Sequence, residues 1–257
     1  MNEEEFSVQT GGFSPRSMGR GAVLFLLPVS AYILGLLPVI FFYVFVTRHI
    51  PFLEGVYYVL LAVVLVFCFL LFILFETFVP GIFIRLFRIR VEEGTYDLSL
   101  KDNGFFRHLL FFALYRPSLS LVGIVPLVPL RLAFLKLVGL QIGKGSMVAG
   151  TELIDEPFAV TIGNHTLIGG YVMIYTHLSH KKMINKKVHI GNNCFIGNRS
   201  VIFPGVTIED DVIVQPGSVV QSDQVLEKGG VYQGNPAIKV REPLEGYVQH
   251  TFFPKKK

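Results

Sequence analysis

From Ile142 onward an aliphatic side chain returns every six residues, first at Ile142, Val148 and Ile154, then after a two-residue slip at Ile162, Ile168 and Ile174. After a longer break the series runs unbroken through Ile190, Ile196, Ile202, Ile208, Val214, Val220 and Leu226. Glycine follows the aliphatic residue at Gly143, Gly163, Gly169, Gly191 and Gly197. The residue two places before it is small or β-branched, as at Ser146, Val160, Thr166, Val172, Val188, Cys194, Ser200, Val206, Val212 and Ser218. An α-helix repeats at 3.6 residues and a half-buried strand at 2, so neither produces a period of six. A triangular coil does, with three flat strands per turn of about six residues each, corner included. The aliphatic side chain fills the interior, the small residue fits beside it, and the glycine is expected to relieve the corner by adopting a positive φ. Thirteen hexads make about four coils, which at a strand spacing of about 4.8 Å stack into a prism roughly 20 Å tall. A parallel β-helix over residues 141–231 is the expected domain.

The residues before it are of another kind. Gly21 to Thr47 is a run of 27 residues, and Gly55 to Phe75 a run of 21, without a charged side chain. Each exceeds the roughly 20 residues that cross a hydrocarbon core as a helix. The first run is too long for a cleaved signal peptide, and a second span follows at once. Pro28 and Pro38 are tolerable in a membrane helix but expected to kink it. The short connection, Arg48 to Glu54, makes the pair an antiparallel hairpin with both flanks on one side. Arg16, Arg20, Arg85, Arg88 and Arg90 lie on those flanks against Arg48 alone in the loop. The positive-inside rule then puts both termini and the β-helix on the cytoplasmic side. From Phe105 to Leu140 apolar residues return, broken by Arg107, Arg116, Arg131 and Lys136. That pattern predicts an interfacial or re-entrant helical segment, with a helical cap on the β-helix as the alternative. The expected organisation is a tail (1–20), a transmembrane hairpin (21–90), an interfacial linker (91–140), the β-helix (141–231) and a C-terminal turn with a basic tail (232–257).

Composition agrees: half the residues are apolar and only 16% charged, with a mean hydropathy of +0.54. The net charge of +4 comes from scattered basic residues apart from Lys255, Lys256 and Lys257, which argues against nucleic acid as a partner. Cys68 lies in an apolar run and Cys194 at a small hexad position, so they predict neither a disulfide nor a metal site. Cys194 reads as core.

The words YTHLSH (Tyr175 to His180), HIGNNCFIGNRSVIFPGVTI (His189 to Ile208), QPGSVV (Gln215 to Val220) and GNPAIKVR (Gly234 to Arg241) resemble the hexapeptide-repeat acyltransferases, in particular the maltose and galactoside O-acetyltransferase branch. The resemblance covers about a third of the chain. It implies a left-handed β-helix and acyl transfer from acetyl-CoA or another acyl-CoA to a hydroxyl, or less often an amine, in a cleft between adjacent prisms, with no metal; burial of the flat faces of so short a prism predicts a homotrimer. It also implies that the break between Ile174 and Ile190 is an excursion carrying the general base, here His177. Imidazole, with an ordinary pKa of about 6.5, suits proton removal from a hydroxyl near neutral pH. A backbone amide of the coil is a candidate oxyanion donor. Tyr175 and His180 are candidate acceptor contacts, His180 also an alternative base.

The CoA contacts implied are Asn193, Phe195, Gly197, Asn198, Pro204, Gly205, Gly217, Ser218, Asn235 and Pro236. Two departures stand out: Phe195 replaces a family tryptophan, and Val220-Gln221-Ser222-Asp223 lacks the family's phosphate-approaching lysine, leaving Lys239 or Arg241 as substitutes. Glu152, Asp155 and Glu156 sit at the two-residue slip, and bulges favour functional sites. They read either as orienters of the histidine or acceptor or as solvated surface groups, Glu152 and Asp155 being the candidate substrate contacts. A zinc carbonic anhydrase on the same coil needs three imidazoles around one metal, and the positions concerned hold Asn198 and Phe203. A non-catalytic membrane scaffold remains the second functional class. Anchoring favours a membrane-proximal or lipid-linked acceptor.

Overall fold

The computed structural model describes residues 15–49, 56–125 and 127–240. The chain divides into a helical unit, Met1–Val91 with Tyr96–Val138, and a β unit, Glu92–Thr95 with Gly139–Lys257.

The helical unit contains α1 (Pro15–His49), α2 (Val56–Leu86), α3 (Asn103–Ile124) and α4 (Val128–Leu137). α1 continues through Pro28 and Pro38 as one helix. Among the described residues α1 and α2 are the two helices long and apolar enough to cross a membrane. Only 22% and 11% of their most apolar windows are buried. Phe25, Phe41 and Val59 are each about two-thirds exposed, at 68%, 71% and 65%. α1 and α2 approach closely where the side chain is smallest. A Cβ on Gly35 would stand 3.1 Å from the Glu76 carboxyl carbon. Tyr32 donates its hydroxyl to the Ala113 and Leu114 carbonyls at 3.1 and 3.2 Å, and Ser118 donates to the Glu76 carbonyl at 3.0 Å. α3 starts at Asp102, whose Oδ1 accepts from the Gly104 and Phe105 amides at 2.7 and 3.1 Å, two of the donors a helix start leaves unpaired. The Tyr115 ring stacks on Phe111 at 4.9 Å and on Phe134 at 5.8 Å, tying α3 to α4.

The β unit is the expected left-handed β-helix. Its three faces are parallel sheets whose registers follow the hexads. Ile142, Ile162, Ile190, Ile208 and Leu226 stack on the first face. Val148, Ile168, Ile196, Val214 and Tyr232 stack on the second, and Ile154, Ile174, Ile202 and Val220 on the third. All of these except the first, Ile142, are buried. The coil therefore continues one hexad past Leu226: Tyr232 takes the inward place, and Val231–Gln233 pairs antiparallel with Ile238–Val240. An aromatic residue at that place lies outside an aliphatic pattern, which is why the hexad series stops one short.

The role expected of the glycines needs correction. Gly143, Gly163, Gly169, Gly191 and Gly197 do not have positive φ. The left-handed residues come two places later, at Gly145 (72°), His165 (54°), Tyr171 (57°), Asn193 (55°) and Arg199 (59°). What demands glycine after the aliphatic residue is the neighbouring coil. A Cβ on Gly197 would lie 2.4 Å from the Pro216 nitrogen, and one on Gly163 would lie 2.6 Å from the Gly191 carbonyl carbon. The next position carries a ladder. The side-chain oxygens of Asn164, Asn192 and Asp210 accept from the Lys144, Asn164 and Asn192 amides at 2.8, 2.8 and 2.7 Å, satisfying corner donors that no strand pairs.

Candidate active site

Ile154 to Ile162 spans eight residues and Ile174 to Ile190 sixteen, where the rule is six. Both intervals join the third face to the first. The register on either side is unbroken, so the extra residues are extruded at one edge of the prism in successive coils. The lower excursion is a turn containing the short 3₁₀ segment Pro157–Ala159. The upper is an antiparallel hairpin of His177–Ser179 and Lys182–Asn185, with His177 opposite Asn185 and Leu178 opposite Ile184. The segment Glu92–Thr95 supports the hairpin. Asn185 Nδ2 donates to the Glu92 carbonyl at 3.2 Å. The Lys187 amide donates to Glu93 Oε1 at 3.0 Å, and the Lys187 ammonium lies 3.1 Å from Oε2. The amide bond and that ammonium hold the Glu93 carboxyl below the usual range.

Stacking the two excursions puts Glu156 of the lower against His177 of the upper. His177 Nδ1 lies 3.0 Å from Glu156 Oε1 and 3.1 Å from Oε2. Glu156 is fully buried, whereas the His177 ring keeps 18% of its surface exposed. Thr176 donates its hydroxyl to the same Glu156 carboxylate. With Nδ1–H directed at the carboxylate, Nε2 carries the lone pair. A buried carboxylate also favours the protonated ring once a proton arrives.

The neighbouring candidates separate. Tyr175 lies on the same edge, its ring 5.9 Å from that of Phe203 one coil on, and its hydroxyl donates to Met173 Sδ at 3.3 Å. His180 is exposed at the hairpin turn, its amide donating to the Lys182 carbonyl at 3.1 Å. The surface alternative for the acidic cluster is wrong: Glu152, Asp155 and Glu156 are 1%, 3% and 0% exposed. Asp155 and Glu156 lie in the slip itself, whereas Glu152 holds the inward place two before Ile154 and accepts from the Gly150 amide at 2.7 Å. Glu156, which adjacency in sequence made no better a candidate than its neighbours, is the one that reaches the histidine.

The CoA candidates do not form one patch on a single prism, because consecutive hexads run around it. Asn193 is at the corner between the first and second faces, and Phe195 is half-buried on the second face. Asn198 and Gly217 are at the next corner, with Gly205 at the edge that bears His177. Asn198 Oδ1 accepts from the Gly170 amide at 2.9 Å, and a Cβ built on Gly217 would meet nothing within 4 Å among the described residues. Gly197, Pro204 and Ser218 are buried; Ser218 bonds the Gln215 carbonyl at 2.6 Å. They build the wall and offer a ligand no side-chain surface. The Asn235–Pro236 bond is cis. Lys239 pairs with Glu227 at 2.7 Å, and Arg241 lies outside the described residues. One basic residue on this edge escaped the motif reading. Lys186, just past the hairpin, meets Asp223 at 2.5 Å.

Cys194 is fully buried among the coils, its thiol donating to the Glu209 carbonyl at 3.0 Å, and burial pushes its pKa up to about 11. In a Cys68→Ser background, a maleimide is expected to modify Cys194 only after denaturation. Rapid labelling of the native protein, followed by mass spectrometry, would contradict the core assignment.

Residues 187–222 match the family described as the hexapeptide repeat of succinyl-transferase. The chain is 40% identical to CapG of Staphylococcus aureus over 62 residues, 21% of this chain and 36% of CapG. It is 29% identical over 140 residues, 45% of this chain and 76% of the relative, to WcaF of Escherichia coli K12, named for colanic acid biosynthesis as an acetyltransferase. Among solved structures it is similar to a hexapeptide-repeat acetyltransferase from Vibrio cholerae (TM-score 0.42, 21% identity, 49% of this chain and 89% of that one). It is also similar to a maltose O-acetyltransferase from Clostridium difficile (TM-score 0.39, 23% identity, 49% and 83%). The β unit thus carries the hexapeptide repeat over residues 187–222 and is similar to acetyltransferases built on that repeat, as its motifs indicated.

Proposed function

We propose that this protein is a membrane-anchored acyltransferase that moves an acyl group, by default acetyl, from acyl-CoA to a hydroxyl of a membrane-proximal or lipid-linked acceptor. The observation that carries the catalytic part is the His177–Glu156 contact of 3.0 Å at the edge where both irregularities of the repeat coincide. His177 Nε2 removes the acceptor's proton as its oxygen attacks the thioester carbonyl. A backbone amide of the coil meets the tetrahedral oxyanion. Collapse breaks the carbon–sulfur bond, and the imidazolium returns its proton to the departing CoA thiolate. Glu156 is the positioning residue: it holds the ring's tautomer and balances its transient charge. Nothing in this step requires a metal.

The anchor rests on α1 and α2, whose apolar faces look outward, a condition that costs little only in a non-aqueous medium. The arginine bias, Arg20, Arg85, Arg88 and Arg90 against Arg48, supports a cytoplasmic β unit. Three prisms side by side would bring different corners together, which is how Asn193, Asn198, Gly205 and Gly217 could serve one CoA despite lying apart on a single prism. Relatedness to WcaF over three quarters of its length supports acetyl transfer.

The deciding experiment is titration of the detergent-purified full-length chain with acetyl-CoA and longer acyl-CoAs. Saturable binding is expected, with slow hydrolysis in the absence of acceptor. A folded trimer that binds no acyl-CoA would remove the transferase reading and leave a membrane scaffold.

A further inference from the structure

Within the helical unit a cleft of about 330 Å³ opens between α1, α3 and the turn that follows α2, a size in the range of small-molecule sites. Val23 and Leu27 of α1, Phe87 and Ile89 of the turn, and Phe106 and Leu110 of α3 give it apolar walls, and two arginines, Arg88 and Arg107, complete the lining. Both arginines are exposed. Their side chains make no hydrogen bond or ion pair among the described residues.

Two other arginines of the unit, Arg20 and Arg116, are engaged. Arg20 donates to the Leu100 carbonyl at 2.8 Å and lies over the Phe106 ring at 5.1 Å. Arg116 lies over Phe112, also at 5.1 Å. Arg88 occupies a left-handed position, φ 48°, in the turn that ends α2.

The location adds to the chemistry. Val23 and Leu27 are the first residues of α1's uncharged run to line the cleft, one and two helical turns beyond Arg20. A helix that spans a bilayer from there holds these positions at the boundary between headgroups and hydrocarbon. Two uncompensated guanidinium groups recognise phosphate, and apolar walls at that depth suit the first carbons of a lipid tail.

We propose that this cleft binds a lipid phosphate, with the phosphate between Arg88 and Arg107 and the start of the tail against Val23, Leu27, Phe106 and Leu110. The site rests on the membrane-anchor half of the proposed function and not on its acyl-transfer half.

The test uses the full-length chain in phosphatidylcholine nanodiscs doped, in separate arms, with phosphatidic acid, farnesyl phosphate or diacylglycerol, with retained lipid counted by native mass spectrometry. Wild type is expected to retain a phosphate lipid, and R88Q/R107Q to lose retention by about tenfold or more. R85Q/R90Q, which alters arginines outside the cleft, is expected to match wild type. The two phosphate-lipid arms report which tail is preferred, and retention of either supports the site.

Equal retention of diacylglycerol, full displacement by inorganic phosphate, or undiminished binding in R88Q/R107Q overturns it, free-phosphate displacement identifying an anion pocket instead. Alkaline carbonate extraction keeps the readings apart. Release of wild type from membranes removes anchor and site together, whereas a retained chain with an indifferent double variant removes the site alone. Acetyl-CoA binding by R88Q/R107Q is expected to be unchanged.

Discussion

His177→Ala is expected to lower acyl transfer by about 10²- to 10⁴-fold while leaving acyl-CoA affinity near wild type, because it removes the proton acceptor and little else. The ring contributes its exposed edge to the site and its Nδ1 to Glu156, so the thioester's binding surface survives the change. Glu156→Gln is the finer probe. It keeps the volume of a fully buried side chain but removes the charge that balances an imidazolium. A loss of about tenfold to a hundredfold in kcat is expected, with the acid limb of the pH–rate profile moving to lower pH, since the protonated ring loses its partner. A merely structural role for Glu156 would lower the amount of folded enzyme and leave that limb in place. His180→Ala, at the exposed hairpin turn, is the control, expected within about fivefold of wild type. A His180→Ala defect as large as that of His177→Ala would move the base to the turn.

The second large effect concerns folding. Gly197→Ala would put a methyl carbon 2.4 Å from the Pro216 nitrogen and 2.8 Å from the Gln215 carbonyl carbon. Both belong to backbone of the next coil, which cannot move without breaking the parallel register of Ile196 with Val214. A destabilisation of about 3 kcal/mol or more is expected. Gly217→Ala is its counterpart: φ is +73° there and a Cβ would meet nothing within 4 Å among the described residues, so the left-handed conformation is what is penalised, at about 1 kcal/mol. Thermal unfolding of both variants in one detergent measures the difference. Equal midpoints would mean that coil spacing is not what the hexad glycines protect.

That pair of glycines shows how far the one-dimensional pattern reaches. A period of six is legible because every sixth side chain meets the same interior, and each aliphatic so marked after Ile142 is buried. Why glycine follows is not legible, since a positive φ and a close neighbour both exclude a side chain and sequence does not separate them. Tyr232 makes the same point at the end of the coil, where an aromatic ring fills the inward place and its hydroxyl accepts from the Glu227 amide at 2.8 Å.

For the candidate site, His177 was visible as the histidine of an excursion within motifs that resemble a known family. Glu156 was visible only as one of three acids at a slip in the repeat. The slip and the excursion are separated by some twenty residues of chain, and only the winding of the coil reveals that they share an edge. The CoA candidates met the opposite fate. Grouped in a few short words of sequence, they are carried to different corners by that same winding.

Sequence by itself determined the repeat, its phase, the two long apolar helices and the histidine, because each follows from local periodicity, run length or a short motif. Tertiary structure alone decided which acid faces that histidine, which glycines guard a neighbouring coil, and which arginines of the helical unit are left facing a cleft. Those are contacts between residues distant along the chain, and their partners are set by how the coils stack and how the helices pack.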